Sequence, residues 1–511
     1  MTLAPFRSTW LAQTNRALTT NSEPGKLRWN ATEIAIIALA AAGLLLRLTI
    51  MPHSSYWGDE LYSVCAALEQ TLKDFFKLWV LPDNSPPTYF LILRVWINAF
   101  GSSEAATRLF SALSGCAAVI TITTLTSSFL SPRQRLLAAT FISVNSIAVY
   151  FSQEVRSYSL LLMSSTFVTC YYFQATIGPQ PAPSRLPYKF AFWSCFCGLI
   201  HFYGTLLAGA LALDLFRRNI RSNRGHALLY ACSLVPPGGW ILFHIVEGGL
   251  AAHGGSGFWY PPLSITLLIS IAARFLLSAN SAGWNIFIVA LQAICLTGLM
   301  FSLVRKTERA IGIRWEILFV TFAPLLIAAL ISLKQPIMIY RNCLVSLPAA
   351  AILFAVLFHQ ALGNKLYSSL LVLYTLAGLS GSAILLSNTK WTEMEPWRSS
   401  YELLSKTPAR IRVAAVLNDD NLSFRRANEF YRNEFDLNTR IDLLFVTRKD
   451  LLENGIPLNV DAILVLHGWR VLDEAKKFAL QNGFTECTGL SSDSNSAMFI
   501  SANANNVQCR R

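Results

Sequence analysis

Charge is scarce in this chain. Only 14% of its 511 residues are Asp, Glu, Lys or Arg, against about 25% in a soluble domain. That deficit, with 53% hydrophobic residues and a mean hydropathy of +0.43, excludes an ordinary soluble globular protein. No Cys-x-x-Cys pair and no Cys/His zinc spacing occurs, so a zinc ribbon or thioredoxin-type redox site is excluded. No internal repeat or low-complexity segment stands out, and the polar C-terminal stretch lacks a Gly-rich nucleotide loop.

Of the ten cysteines, Cys116, Cys170, Cys195, Cys197, Cys232 and Cys295 fall within apolar runs and read as small core residues. Cys487 and Cys509 are free to pair if their segment lies outside the cytoplasm. The net charge of +13 sits mostly in short loops between apolar runs, where membrane topology places it. No nucleic-acid partner is therefore expected.

Apolar runs of spanning length, about 20 residues, recur from Ile34 to Leu386. Residues 1–30 are polar and basic (Arg7, Arg16, Lys26, Arg28) and read as a cytoplasmic tail before a retained first span, about 31–51. Residues 52–104 form a long outer segment. Within it, Glu60 to Leu78 has helical spacing and suits a membrane-surface helix. Thr88 to Phe100 is short for a span and carries Arg94. A full span there places Glu154 inside, whereas a surface or re-entrant helix places it outside, beside Asp59. The later basic loops fit the second arrangement.

On that arrangement the further spans are about 105–129, 136–151, 157–176, 188–201, 203–216, 227–246, 284–304, 316–333, 343–360 and 366–387. The basic groups Arg133 and Arg135, Arg217 and Arg218, and Arg305, Lys306, Arg309 and Arg314 then share the inner side. Glu247 to Pro262, rich in glycine and aromatics, suits a lid or access loop. Leu263 to Leu277, with Arg274, reads as another surface helix. The expectation is an α-helical polytopic membrane protein with about eleven transmembrane helices and extracytoplasmic surface helices. From Asn388 the composition turns soluble. Short strands at Val413–Leu417, Asp442–Val446 and Ala462–Leu466, separated by helical patterns, predict a small α/β domain with a partly parallel sheet. The divisions are thus 1–30, 31–387 and 388–511, the last expected outside the cytoplasm with a role in packing or acceptor recognition.

One stretch stands apart, Ser55 to Tyr62, directly after the first span. Asp59 and Glu60 lie side by side there, flanked by Trp57 and Tyr62. A second acidic site, Glu154 followed by Arg156, reaches the same surface on the chosen topology. Two acidic sites at one membrane face, with aromatics and arginines nearby, fit sugar or phosphate chemistry. They fit equally a plain helix N-terminus, where acids are favoured.

The order of motifs is the stronger signal. The acidic pair is followed by Pro86-Pro87 and Tyr89 opening a helix. Next come Phe100-Gly101, Glu104, Arg108 and Ser111-Ala112-Leu113, then Ser152-Gln153-Glu154, Arg156 and Tyr158. Tyr340-Arg341 opens a late span. This series resembles the GT-C membrane glycosyltransferases, in the bacterial branch near protein O-mannosyltransferases and lipid A aminoarabinose transferases. The resemblance covers about residues 30–390 and leaves the soluble tail out.

The resemblance implies a glycosyltransferase in the cytoplasmic membrane with its active site outside. A polyprenyl-phosphate sugar would be the donor, and a lipid, glycan or protein the acceptor. Asp59 would be the general base, with Glu60 orienting it or binding sugar and Glu154 facing the same pocket. Arg341 beside Tyr340, then Arg156 and Arg108, would hold the leaving phosphate. Trp57, Tyr62, His201 and Tyr203 would line the sugar or acceptor pocket. A divalent ion between Asp59 and Glu154 is compatible with the family. Plain readings stand beside these: an interfacial snorkelling role for Arg341, and a helical pair with Glu104 for Arg108. The residue before the prolines is Ser85, where relatives commonly carry His or an acid, with Asp83 two residues earlier. Rival functions are a lipid-linked sugar flippase and a ligase or polymerase using a diphosphate-linked glycan. Transporters bury charges mid-span, whereas here the charges gather at one surface.

Overall fold

The structure is a computed structural model. It describes residues 29–49, 54–83, 85–181, 183–247, 260–279, 285–304, 314–389, 395–407, 409–418, 422–466, 468, 471–487 and 496–501. The basic tail before residue 29, most of the loop 247–262, Arg305, Lys306, Arg309 and Cys509 lie outside the described residues.

The membrane part consists of α1 (Ala31–Leu48), α2 (Gly58–Leu68), α3 (Thr88–Phe100), α4 (Glu104–Leu125), α5 (Pro132–Val144), α6 (Ser146–Phe151), α7 (Tyr158–Thr176), α8 (Leu186–Ile200), α9 (Phe202–Asn219), α10 (Arg224–Cys232), α11 (Val235–Val246), α12 (Ile265–Leu277), α13 (Ile286–Val304), α14 (Trp315–Ser332), α15 (Leu347–Phe358) and α16 (Lys365–Ser387). Among the described residues, seven helices are long and apolar enough to cross a membrane. The expected spans near 136–151, 157–176, 188–201 and 203–216 fall outside those seven. Two of them have a visible cause. The first is broken at Asn145 into α5 and α6. In α7 the buried Ser159, Ser164, Ser165, Thr166 and Thr169 face protein rather than lipid.

The break at Asn145 frees carbonyls that a helix would have used, and inside a membrane these must be satisfied by protein. Arg47 does so from α1, donating from Nη2 to Ile142 O at 2.6 Å and from Nη1 to Ser143 O. Ser382 Oγ donates to Val144 O at 2.9 Å, and the Asn145 side chain caps α6 by accepting from Ala148 N. Gly43 permits this approach of α1 to α5, because a Cβ there would collide with the Ser143 carbonyl. At the opposite end of α1, Asn30 and Glu33 form a capping box. Glu33 also pairs with Arg133, so the N-end of α1 and the basic turn 131–135 share one face, as the topology requires.

Two expectations are corrected. Glu60 to Leu78 is not one surface helix: α2 ends at Leu68, and a separate π-helical turn spans Phe75–Val80. The two pack against each other through a Tyr62–Trp79 edge contact and a Trp79 Nε1–Glu69 bond of 3.1 Å. Cys232 is exposed rather than a core residue, while Cys170, Cys197 and Cys295 are buried.

Beyond residue 395 come α17 (Trp397–Ser405), β1 (Ile411–Leu417), α18 (Leu422–Glu434), β2 (Ile441–Thr447), α19 (Arg448–Asn454), β3 (Ala462–Val465), α20 (Leu472–Gln481), β4 (Phe484–Glu486) and β5 (Ala497–Ser501). The strand order is β2-β1-β3-β5-β4, with β2, β1 and β3 parallel and the last two antiparallel. Alternation along β1 splits the sheet into two faces. Ala414 and Val416 face a small core that includes Ala475 and Ala479 of α20. Val413 joins Ala427 and Tyr431 of α18 in a core continuous with the membrane helices. Cys487 is disulfide-bonded.

Candidate active site

The acidic pair opens α2, and its two members do different things. Glu60 is fully buried and takes both prongs of Arg108: Nε to Oε1 at 3.0 Å and Nη2 to Oε2 at 2.7 Å. Glu60 also accepts from Val155 N at 3.0 Å and from Trp57 N at 3.4 Å. It therefore joins the first acidic segment, α4 and the second acidic segment at one point. Both acidic motifs reach the same face.

Asp59 points the other way. Its side chain is 38% exposed, and its Oδ2 lies 3.3 Å from Nη1 of Arg341, itself 12% exposed. The Arg341 guanidinium stands 5.6 Å over the Tyr158 ring. Burial opposes its charge, but Tyr158 and Asp59 hold its pKa above the ordinary value. Arg156 closes the other side, pairing with Asp83 at 3.2 Å, touching Ser63 Oγ at 3.4 Å and lying 5.9 Å from the centre of the Tyr62 ring. Burial opposes that charge too, and Asp83 and Asp59 together raise its pKa. One half-exposed carboxylate thus favours the charge of two partly buried guanidiniums.

A third arginine was not singled out from sequence as a site residue. Arg274, near the end of α12, stands 4.4 Å over the Tyr340 ring. The end of α12 is anchored where its last carbonyls lack helical partners. Asn145 Nδ2 donates to Phe275 O at 2.8 Å, and Tyr374 Oη donates to Leu276 O at 2.6 Å. A lone charge one turn before the end of an apolar helix is the only sequence signal for it. Burial and then Glu154 raise the Tyr340 pKa, with Arg274 and Arg341 acting against them. Glu154 is buried, and its backbone carbonyl accepts from Ser111 Oγ at 2.7 Å.

The remaining candidates separate into ring contacts and anchors. The Tyr62 hydroxyl is bonded to the Trp79 carbonyl, leaving its ring toward Arg156. Tyr203 Oη donates to Ile337 O at 2.9 Å and so pins the turn that carries Tyr340 and Arg341. His201 Nδ1 accepts from Tyr203 N at 3.2 Å. Burial, then Arg156 and Arg341, push its pKa down to about 3, so the ring is neutral. Trp57 precedes α2 as its N-cap residue.

Arg108 is the expectation that changes most. Besides Glu60 it holds Ser54 O at 2.7 Å and Ser55 O at 2.9 Å. Its partner is not Glu104, four residues back, because Glu104 is taken by Arg398. The Arg108 guanidinium is buried and committed to Glu60 and two backbone carbonyls.

Among the described residues no group of three or more His, Cys, Asp or Glu side chains is placed to hold a metal ion. One of the two carboxylates considered for an ion, Asp59, already faces a guanidinium. Among the described residues, Asp59 and Glu154 by themselves do not fit a resident divalent ion.

No family profile matches the chain, and no curated protein sequence matches it. Solved structures do. ArnT from Cupriavidus metallidurans bound to undecaprenyl phosphate superposes with a TM-score of 0.55 at 12% identity, over 92% of this chain and 98% of that one. The apo state of the same protein gives 0.55 at 11% identity, over 91% and 97%. The Archaeoglobus fulgidus oligosaccharyltransferase in its apo form aligns with a TM-score of 0.46 at 12% identity, over 88% of this chain and 68% of that one. The likeness to ArnT runs almost end to end, and the fold is of the GT-C type.

Proposed function

We propose that this multi-pass membrane protein is a glycosyltransferase that takes a sugar from a polyprenyl-phosphate donor and works at the outer face of the cytoplasmic membrane. The observation that carries the reading is Asp59, half exposed at 3.3 Å from Arg341, with Arg156 held nearby by Asp83 and the Tyr62 ring. The shared fold adds support, because ArnT, with that fold, was solved bound to undecaprenyl phosphate.

The chemistry follows from the arrangement. Asp59 takes the proton of an acceptor hydroxyl as that oxygen attacks the anomeric carbon. The bond from that carbon to the lipid phosphate breaks, and its electron pair stays on the phosphate oxygen. Arg341, with Arg274 and Arg156, stabilises the charge gained there. Attack opposite the leaving group inverts the anomeric centre. Glu60 and Arg108 hold the frame and touch no substrate.

Sugar transfer in membranes tests the proposal. Wild type and Asp59→Asn, at equal levels, receive labelled polyprenyl-phosphate sugars. Transfer by wild type alone supports both the donor class and the base. Equal transfer by both removes Asp59 from its role. Binding of the donor without transfer by either points to a lipid-linked sugar flippase, and transfer only from diphosphate-linked glycans points to a ligase.

A further inference from the structure

The segment Ser54 to Trp57 brings the chain to Asp59 without regular structure, and Ser54, Ser55 and Tyr56 are buried. Buried backbone groups need partners, and an irregular segment cannot supply its own. Arg108 takes the carbonyls of Ser54 and Ser55. The amide of Tyr56 is satisfied from far along the chain, donating to Tyr431 Oη at 2.9 Å. Ser55 Oγ donates to the carbonyl of Glu395.

The Tyr56 contact leads on to Glu104, the buried first residue of α4. Arg398 grips it with two prongs, Nε at 2.9 Å and Nη2 at 2.7 Å, and Tyr431 Oη donates to Oε1 at 2.9 Å. The Tyr431 hydroxyl accepts from Tyr56 and donates to Glu104, so its orientation is fixed from both sides. Tyr56 in turn bonds Ser102 O at 2.8 Å and Thr107 Oγ1 at 2.6 Å. Five hydrogen bonds join residues of 395–431 to the membrane part, and they end on Ser55, Tyr56 and Glu104. They fall on the segment that leads into Asp59 and on the first turn of α4.

We infer that the C-terminal α/β region belongs to the transfer machinery: Arg398 and Tyr431, through Glu104 and Tyr56, are positioning residues that aim Asp59. The inference rests on Asp59 being the base. It gives residues 395–434 a task that α4 and Arg108 leave incomplete, because a carboxylate displaced by even 1 Å loses about 100-fold in rate.

The test uses the full-length protein in membranes. Tyr431→Phe removes one hydroxyl, Arg398→Lys keeps the charge without the fork, and Arg398→Ala removes both. The expected result is a kcat reduced about tenfold or more in Arg398→Ala and Tyr431→Phe, with donor KM within about twofold and partial recovery in Arg398→Lys. Hydrogen exchange of amides 54–62 reads the strap without any chemistry, and should rise about tenfold in Tyr431→Phe. Unchanged exchange, or kcat unchanged in both Arg398→Ala and Tyr431→Phe, overturns the inference. A wild type that transfers no sugar sinks the proposed function instead, and the exchange result then decides the strap by itself.

Discussion

Arg108 and Glu60 meet as a two-pronged buried pair, 3% and 0% exposed, with N–O distances of 3.0 and 2.7 Å. They lie 48 residues apart in the chain, and the pair fixes where α2 begins relative to α4. Removing one member leaves the other charge buried without its ionic partner, at a cost of about 3–5 kcal/mol. Arg108→Met is expected to lower the melting temperature of detergent-solubilised protein strongly. The double variant with Glu60→Leu should recover part of the loss. A single variant as stable as wild type would show that the pair contributes nothing to the fold.

Arg341 and Arg274 should respond in kcat, since both stand where the leaving phosphate is proposed to gain charge. Loss of one such group typically costs about 10²–10³ in rate. Arg341→Lys should restore little, because a compact ammonium cannot reproduce the fork. The double alanine variant should fall short of the product of the single effects. Steady-state transfer by wild type, the two alanine variants, Arg341→Lys and the double alanine variant is the measurement. Normal turnover by Arg341→Ala would remove that residue from the mechanism.

Arg47 closes the break between α5 and α6. Arg47→Met keeps most of the volume but strands the carbonyls of Ile142 and Ser143, at about 1–3 kcal/mol each. Thermal unfolding should register the loss. Arg47 also donates to Ser152 Oγ at 3.2 Å, two residues before Glu154, so transfer should weaken alongside stability. An unaltered melting curve would mean that other groups serve those carbonyls.

His201 sets a pH dependence with a definite sign. Its folded pKa is about 3, against about 6.5 in an unfolded chain. Between those values the unfolded chain binds the extra proton, so stability falls as pH drops below about 6.5. His201→Gln should flatten that part of the profile between pH 7.5 and pH 5. Identical profiles for the two proteins would exclude the residue as the source.

Much of the fold was legible from periodicity and charge. The expected span 105–129 corresponds to α4, 366–387 to α16, and the three expected strands to β1, β2 and β3. β4 and β5 were not foreseen: the first has only three residues, and the second finds its register only against β3 and β4. The arginine partners were legible least. Sequence spacing offered Glu104 to Arg108, whereas each has its ionic partner elsewhere, Arg398 for Glu104 and Glu60 for Arg108. Helix spacing shows which residues can meet within one element. It is silent on which charges meet across 294 residues of chain.

The sequence by itself determined a membrane protein and its motif order, because burying apolar runs in lipid depends on composition and length alone. It also marked the acidic motif and the tyrosine-arginine pair as worth placing together. Only the tertiary structure decided that Asp59 faces Arg341 while its neighbour Glu60 is locked inside. Two adjacent carboxylates are chemically alike, and burial and partners alone divide them. The same holds for the C-terminal region. Its composition announced a soluble domain, and only its contacts with Tyr56 and Glu104 showed it packed against the segment that leads to Asp59.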